Sequence, residues 1–381
     1  MRIFAALSLF CILGASAQIN ADNSRTRYFD TSGDGRLNAT EIKFGRRPFV
    51  PSFSAVPLSG KPQQDLYHVE ELAQSAKQHT INLLRKEVRA WRESGYAGNI
   101  TRVTKELLQH WFLNEQRIIT KTFFFAQREA IETAIWLNEL APLSNLGTEI
   151  LRRLKEDNGR DLPQEMVLPR IAFKMATGTG KTTVMALLVL YHFFNRREYR
   201  NDTRFADNFL LIAPNITIKD RLRGLIPNDD TSVNGEDDYR RRDMVPPHLR
   251  QYLPTLSNKL VIINRHKLER RNIQGNKVSP LDGKAGQKPE ERKESYASLI
   301  KREFGKFKPK SRLLVINDEA HHCYFPKEND TRAGKEEAAE NTRAATWYRG
   351  ILALQSRFEL HSVCDLSATP YYLSGSGYPA N

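Results

Sequence analysis

Cysteine is scarce in this chain: Cys11, Cys323 and Cys364 are the three in 381 residues, and they are scattered. No disulfide framework follows from such a set, so the fold has to rest on an apolar core. Cys323 stands beside His321 and His322, but that spacing fits no zinc motif. Acidic residues are also in deficit, 44 Asp and Glu against 58 Lys and Arg, for a net charge of +14. The balance suits a polyanionic partner, although a run of charge is more often a solvated loop. The apolar run near the start, Ile3 to Gly14, is too short for an ordinary transmembrane helix, and no membrane partner is expected. The length allows about two domains and a sizeable core.

What the chain does have is one glycine loop in an informative setting. Met175-Ala176-Thr177-Gly178-Thr179-Gly180-Lys181-Thr182-Thr183 follows Arg170–Lys174, which reads as a buried strand. From Thr183 to Tyr191 the chain continues as a helix. Strand, glycine loop and helix in that order give a phosphate-loop match its meaning. Gly178 and Gly180 let the N–H groups from Thr177 to Thr183 turn toward one point, and the helix N-terminus adds positive potential there. Lys181 is expected to bridge the β- and γ-phosphates, and the Thr182 hydroxyl to hold Mg²⁺. The first glycine usual in such a loop is replaced by Met175.

Two later stretches supply partners. Ser311–Asn317 reads as a strand ending in Asp318-Glu319-Ala320-His321-His322. Asp318, at the strand's end, can hold Mg²⁺ through water, and Glu319 can take a proton from an attacking water. Val363–Leu366 then leads into Ser367-Ala368-Thr369-Pro370. Together the three stretches imply an ATP site.

The remaining chain reads as a setting for that site. Asn208–Ala213 and Lys259–Asn264 are further strands, and strands alternating with helices predict an α/β fold with a parallel sheet and its ligand at the carboxyl edge. Pro214–Leu222 starts a helix where Thr217 and Lys219 are placed to hold a nucleic-acid phosphate. Arg265–Arg312 carries 15 basic and 6 acidic residues, which suits phosphate contacts or a solvated loop. Residues 64–120, with amphipathic helices over His68–Trp91 and Arg102–Arg117, form a small helical element ahead of an ATPase domain spanning 121–381. Phe123–Ile131 opens another helix, in which Gln127 is either a reader of the adenine edge or an exposed residue at a helix start.

Residues 1–17 carry the charge, apolar run and small-residue pattern of a secretory signal, at odds with the cytoplasmic location that an ATP-using enzyme implies. Residues 18–63 hold a polar loop and a linker. From Asp30 to Glu41 the ligand spacing of an EF-hand calcium loop is present: Asp30, Ser32 and Asp34, then Arg36 at the carbonyl position, and Glu41 at the last. The alternative reading is therefore an exported calcium-binding protein with a degenerate ATPase fold.

Phe173-Lys174-Met175-Ala176-Thr177-Gly178-Thr179-Gly180-Lys181-Thr182, Ile316 to Tyr324 and Asp365 to Pro370 resemble motifs I, II and III of superfamily 2 helicases, including a DEAH-type box. These phrases, with Phe124–Ile135 and Gly45–Pro48, are similar to the Res subunit of type III restriction enzymes over residues 45–381. The resemblance implies an ATP-dependent DNA helicase or translocase motor with a RecA-like P-loop sheet. In it Gln127 reads adenine, Asp318 holds Mg²⁺, Glu319 activates water, and Ser367 and Thr369 couple hydrolysis to DNA movement. Double-stranded DNA contacted through its phosphates and a modification subunit are the implied partners. Such motors use two RecA-like domains, so one motor domain, weak or inactive without the second and a nuclease part, is expected here.

Overall fold

The structure, a computed structural model, describes residues 6–7, 27–31, 37–44, 80–159, 163–227, 237–271, 293–320, 323 and 335–368. In chain order the strands are β1 (Ala6–Leu7), β2 (Arg27–Thr31), β3 (Leu37–Phe44), β4 (Arg170–Lys174), β5 (Asn208–Ala213), β6 (Leu260–Asn264), β7 (Arg312–Asp318) and β8 (Glu359–Ser367). Among the described residues one parallel sheet runs in the order β1-β4-β8-β7-β5-β6. Its edge strand β1 comes from the signal-like run, with Ala6 beside Ala172 and Leu7 beside Phe173.

The five long strands are near-continuous apolar runs because both faces of the sheet are covered. Alternation sorts their side chains. Phe209, Leu211, Leu314 and Ile316 enter one core, while Leu210, Ile212, Leu313 and Val315 enter the other. On the first face lies the helix Lys181–Glu198, buried continuously from Thr183 to Asn195. A helix apolar all round has to be covered on its far side too. The helices Thr80–Glu93, Arg102–Leu108 and Phe125–Ile135 do this, and Leu84, Trp91, Leu107 and Ile131 join the same core as the sheet. The expected N-terminal helical element is thus an outer layer on the first face of the sheet.

That layer is sealed by buried polar contacts. Arg85 pairs with Glu129 at 3.2 Å, and the Tyr96 hydroxyl donates to Glu132 at 2.5 Å. Thr104 and Tyr191 both donate to Glu139, at 2.6 and 2.9 Å. On the other face the helix Lys335–Ala353 contributes the buried Trp347 and Tyr348.

The calcium reading meets a different frame. The flanks of the loop are strands, not helices: β2 and β3 pair antiparallel, with Asp30 beside Asn38 and Thr31 beside Leu37. Tyr28, Phe29 and Ile42 favour extended backbone, whereas an EF-hand needs a helix on each side. The register slips between Phe29 and Asp30, so that Glu41 falls between the paired positions Asn38 and Ile42. Ser32, Asp34 and Arg36 lie outside the described residues. Among the described residues no helix is long and apolar enough to cross a membrane.

Candidate functional site

The strand β4 delivers the chain to the carboxyl edge of the sheet at Lys174. The backbone then curls through Gly178 (φ +82°) and Gly180 (φ +81°) into the helix that begins at Lys181. Both angles lie in the left-handed region that glycine adopts without a Cβ penalty. Gly180 is doubly constrained, since a Cβ there would stand 2.1 Å from Gln127 Nε2. The turn is closed by Thr179, whose N–H and hydroxyl both donate to the Ala176 carbonyl, at 3.3 and 2.6 Å. Thr177 and Gly178 stay exposed at its tip, while Thr179 and Thr183 are buried. Met175, where a glycine is usual, is wholly buried in the core, so that position serves packing.

Gln127 is not an exposed residue at a helix start. It is 4 % exposed; its Nε2 donates to the Thr179 carbonyl at 2.9 Å and its Oε1 accepts from the Phe124 N–H at 3.1 Å. The amide braces the glycine loop in this conformation.

Opposite the loop, β7 ends at Asp318. The Glu319 N–H donates to Asp318 Oδ1 at 3.0 Å, and Glu319 itself takes a left-handed backbone (φ +47°). That conformation costs a non-glycine residue of order 1 kcal/mol or more and turns the side chain back over the strand ends. The result is an ion pair of Glu319 Oε1 with Lys181 Nζ at 2.6 Å, the two side chains 26 % and 12 % exposed. All three expected catalytic residues therefore meet. Burial, then the neighbouring Glu319, push the Asp318 carboxyl above its ordinary range, opposed by Lys181 and Arg221. A buried carboxylate with incomplete cationic compensation is suited to a divalent ion, and Thr182 lies on the adjoining first helical turn. Among the described residues no group of three or more His, Cys, Asp or Glu could hold a metal. Mg²⁺ needs no such cage, because it is held by one or two carboxylates together with substrate phosphates.

Ser367 and its strand lie between these two ends. The Met175 N–H donates to the Ser367 carbonyl at 2.8 Å, and Ser367 is fully buried. Thr369, His321 and His322 lie outside the described residues. On the same edge, the helix Ile216–Leu222 follows β5, with Thr217 exposed and Lys219 half-buried. Its N-terminus is already capped: the Asn215 side chain accepts from the Ile218 N–H at 2.9 Å.

Two features of the site are side-chain contacts that the sequence motifs do not specify. Arg170 Nε donates to Asp365 Oδ2 at 2.6 Å, Arg170 Nη2 to the Cys323 carbonyl at 2.8 Å, and Asn317 Nδ2 to Asp365 Oδ1 at 2.6 Å. This network sits beneath the site, tying β4, β7 and β8. An isolated carboxylate inside an apolar strand, as at Asp365, demands a buried partner and was the signal to follow. The second is Arg242, whose Nη1 donates to Thr183 Oγ1 at 2.7 Å. No local pattern around Arg242 announces that contact.

The described part of the basic stretch is largely engaged within the protein. Arg302 pairs with Glu294 and Glu303 at 2.7 and 2.9 Å, and Lys306 Nζ donates to the Leu260 carbonyl at 3.0 Å. Residues 272–292 lie outside the described set.

No curated protein and no solved structure matches the chain. The family model described as type III restriction enzyme, res subunit, matches residues 120–371, which takes in the glycine loop, the Asp318–Glu319 corner and the end of β8. A match over that much of its length means that the chain belongs to the type III restriction enzyme Res-subunit family, a family of helicase-like ATPases.

Proposed function

We propose that the site binds Mg·ATP and hydrolyses it to move or unwind double-stranded DNA. The observation that supports this most is the Lys181–Glu319 ion pair at 2.6 Å, because it brings the loop lysine and a carboxylate to one point above the sheet. In this reading Thr177 to Thr183 offer backbone N–H groups and Lys181 to the phosphates. Thr182 and Asp318 hold Mg²⁺, which neutralises charge on the phosphate oxygens. Glu319, released from Lys181 when the phosphates take its place, orients a water and accepts its proton. Gln127 keeps the loop curled and turns its remaining hydrogen-bonding capacity toward adenine.

DNA runs over the carboxyl edge near Thr217 and Lys219, contacted at its phosphates and not at its bases. Ser367 and Thr369 relay the state of the nucleotide, the former through its carbonyl on Met175. A modification subunit and a second motor domain complete the restriction machinery in this proposal. Among the described residues, the flanks of the calcium-like loop are the strands β2 and β3, which does not favour the calcium reading. The test is nucleotide-dependent thermal stabilisation: Mg·ATP should raise the unfolding midpoint of wild type and not of Lys181→Ala, since only binding to the native state raises it. Equal shifts in both would refute the assignment.

A further inference from the structure

One arginine outside every motif reaches the phosphate-loop helix, and its setting is built for that reach. Arg242 follows a short helix, Asp238–Arg241, and precedes Asp243, which is held at φ +49°. Three successive backbone carbonyls at this corner are captured from the helical layer. Arg117 donates Nη2 to the Arg242 carbonyl at 3.3 Å and Nε to the Asp243 carbonyl at 2.7 Å, and Trp111 Nε1 donates to the Met244 carbonyl at 2.7 Å. His110 Nε2 lies 2.9 Å from the same Asp243 carbonyl. Arg117 is itself buried, stacked 4.0 Å over the Phe123 ring centroid. Left-handed backbone at a non-glycine residue costs about 1 kcal/mol or more, and it persists only where the surroundings overdetermine it. Here they do.

What the clamped corner presents is a guanidinium with one nitrogen on Thr183 Oγ1 and an aspartate, Asp238, no nearer than 3.9 Å. The Arg242 side chain is 43 % exposed, so it retains donors facing solvent. Thr183 Oγ1 also lies 3.4 Å from where a Gly180 Cβ would stand, and Gln127 Nε2 flanks that same point. Arg242 therefore approaches the loop from the Gln127–Thr183 side, and Thr183 lies two residues beyond Lys181, about 200° around a helix of roughly 3.6 residues per turn.

We infer that Arg242 is a nucleotide-binding residue that contacts the phosphate nearest the nucleoside, an arginine that the chain supplies in cis. The inference rests on the ATP-site reading above. A guanidinium donates in a fixed planar fork suited to phosphate oxygens, and an ammonium does so less well. Because Arg242 stands away from Lys181, its contribution is common to nucleotides that differ only at the far phosphate.

The experiment is titration of the whole chain with fluorescent ATP and ADP analogues, for wild type, Arg242→Ala and Arg242→Lys. Arg242→Ala should weaken both nucleotides by the same factor, roughly tenfold as expected for one charge-assisted contact. Arg242→Lys should recover part of that loss. The unfolding midpoint without nucleotide should stay near wild type, because the side chain is half in solvent. Wild-type binding with an unchanged Arg242→Ala affinity would overturn the inference alone. So would a loss confined to ATP, or a loss accompanied by a lower midpoint that Arg242→Lys does not restore. Wild type without saturable binding would overturn the ATP-site reading and the inference with it.

Discussion

Glu319→Gln should affect binding and turnover in opposite directions. In the free protein Lys181 is held by Glu319 at 2.6 Å, so arriving phosphates compete with a carboxylate for the ammonium group. Two unit charges about 4 Å apart attract by roughly 4 kcal/mol at an effective dielectric near 20. Desolvation and side-chain ordering take back most of that, and the side chains here are 12 % and 26 % exposed, so a net of about 1 kcal/mol is the realistic scale. Removing the competitor should tighten nucleotide binding by roughly fivefold, given that about 1.4 kcal/mol is a factor of ten. The loss of a carboxylate facing phosphate oxygens acts in the same direction. Added salt should narrow the difference, since part of the pair is open to screening. Under conditions where wild type turns over ATP measurably, hydrolysis should by contrast fall about 10²–10⁴-fold, the usual contribution of a positioned base. Titration with ADP and a non-hydrolysable ATP analogue at low and high salt reads the first effect, and phosphate release reads the second. A variant that binds no more tightly than wild type would refute the competition, and one that still turns over would refute the role of Glu319.

Asp318→Asn should make the nucleotide-free protein more stable while abolishing Mg²⁺-dependent binding. The Asp318 carboxyl is raised by burial and by Glu319, so its charged form costs native stability as pH rises past the ordinary carboxylate range. The gain in midpoint should accordingly be larger at pH 7 than at pH 4.5, and the reverse order would contradict the argument. At the Arg170–Asp365 pair, Arg170→Met alone should cost about 3–5 kcal/mol by leaving a buried carboxylate uncompensated, whereas Arg170→Met with Asp365→Leu should recover most of the loss; denaturant titration of the three proteins decides it. Lys219→Gln should weaken DNA binding equally across sequences and lower the salt slope by about 1; a sequence-dependent loss would assign Lys219 to base contact instead.

Local chemistry explains what was legible. Arg170–Lys174 and Asn208–Ala213 form strands over the bounds read from the sequence, because a strand covered on both faces has to be an unbroken apolar run. The glycine loop and the Asp318–Glu319 corner were legible for a related reason: a backbone that must curl and a carboxylate at a strand end leave few residue choices. The helix expected over Arg102–Arg117 fared differently. It breaks into Arg102–Leu108, a wide turn over Gln109–Leu113, and Glu115–Thr120. Asn114 starts the last piece by accepting from the Arg117 N–H at 3.1 Å. His110, Trp111 and Arg117 all turn to backbone 125–133 residues away, and no spacing within the segment encodes that. The calcium spacing is likewise local, whereas its frame depends on flanks that form strands and not the helices of an EF-hand.

The order of strands couples the two halves of the site. β4 and β7 hold the two halves of the chemistry, yet they are not neighbours; β8 lies between them. Along β8, Asp365 binds Arg170 at the base of β4 and Asn317 beside the end of β7, and two residues later the Ser367 carbonyl holds Met175 at the head of the loop. The distance between Lys181 and Glu319 is therefore set by a third strand through buried contacts on both sides. Close-packed interiors resist continuous deformation. A change at the end of β8 has to move the loop and the carboxylate corner together or break one of these bonds, and single substitutions at Asp365 should disturb both halves of the site at once.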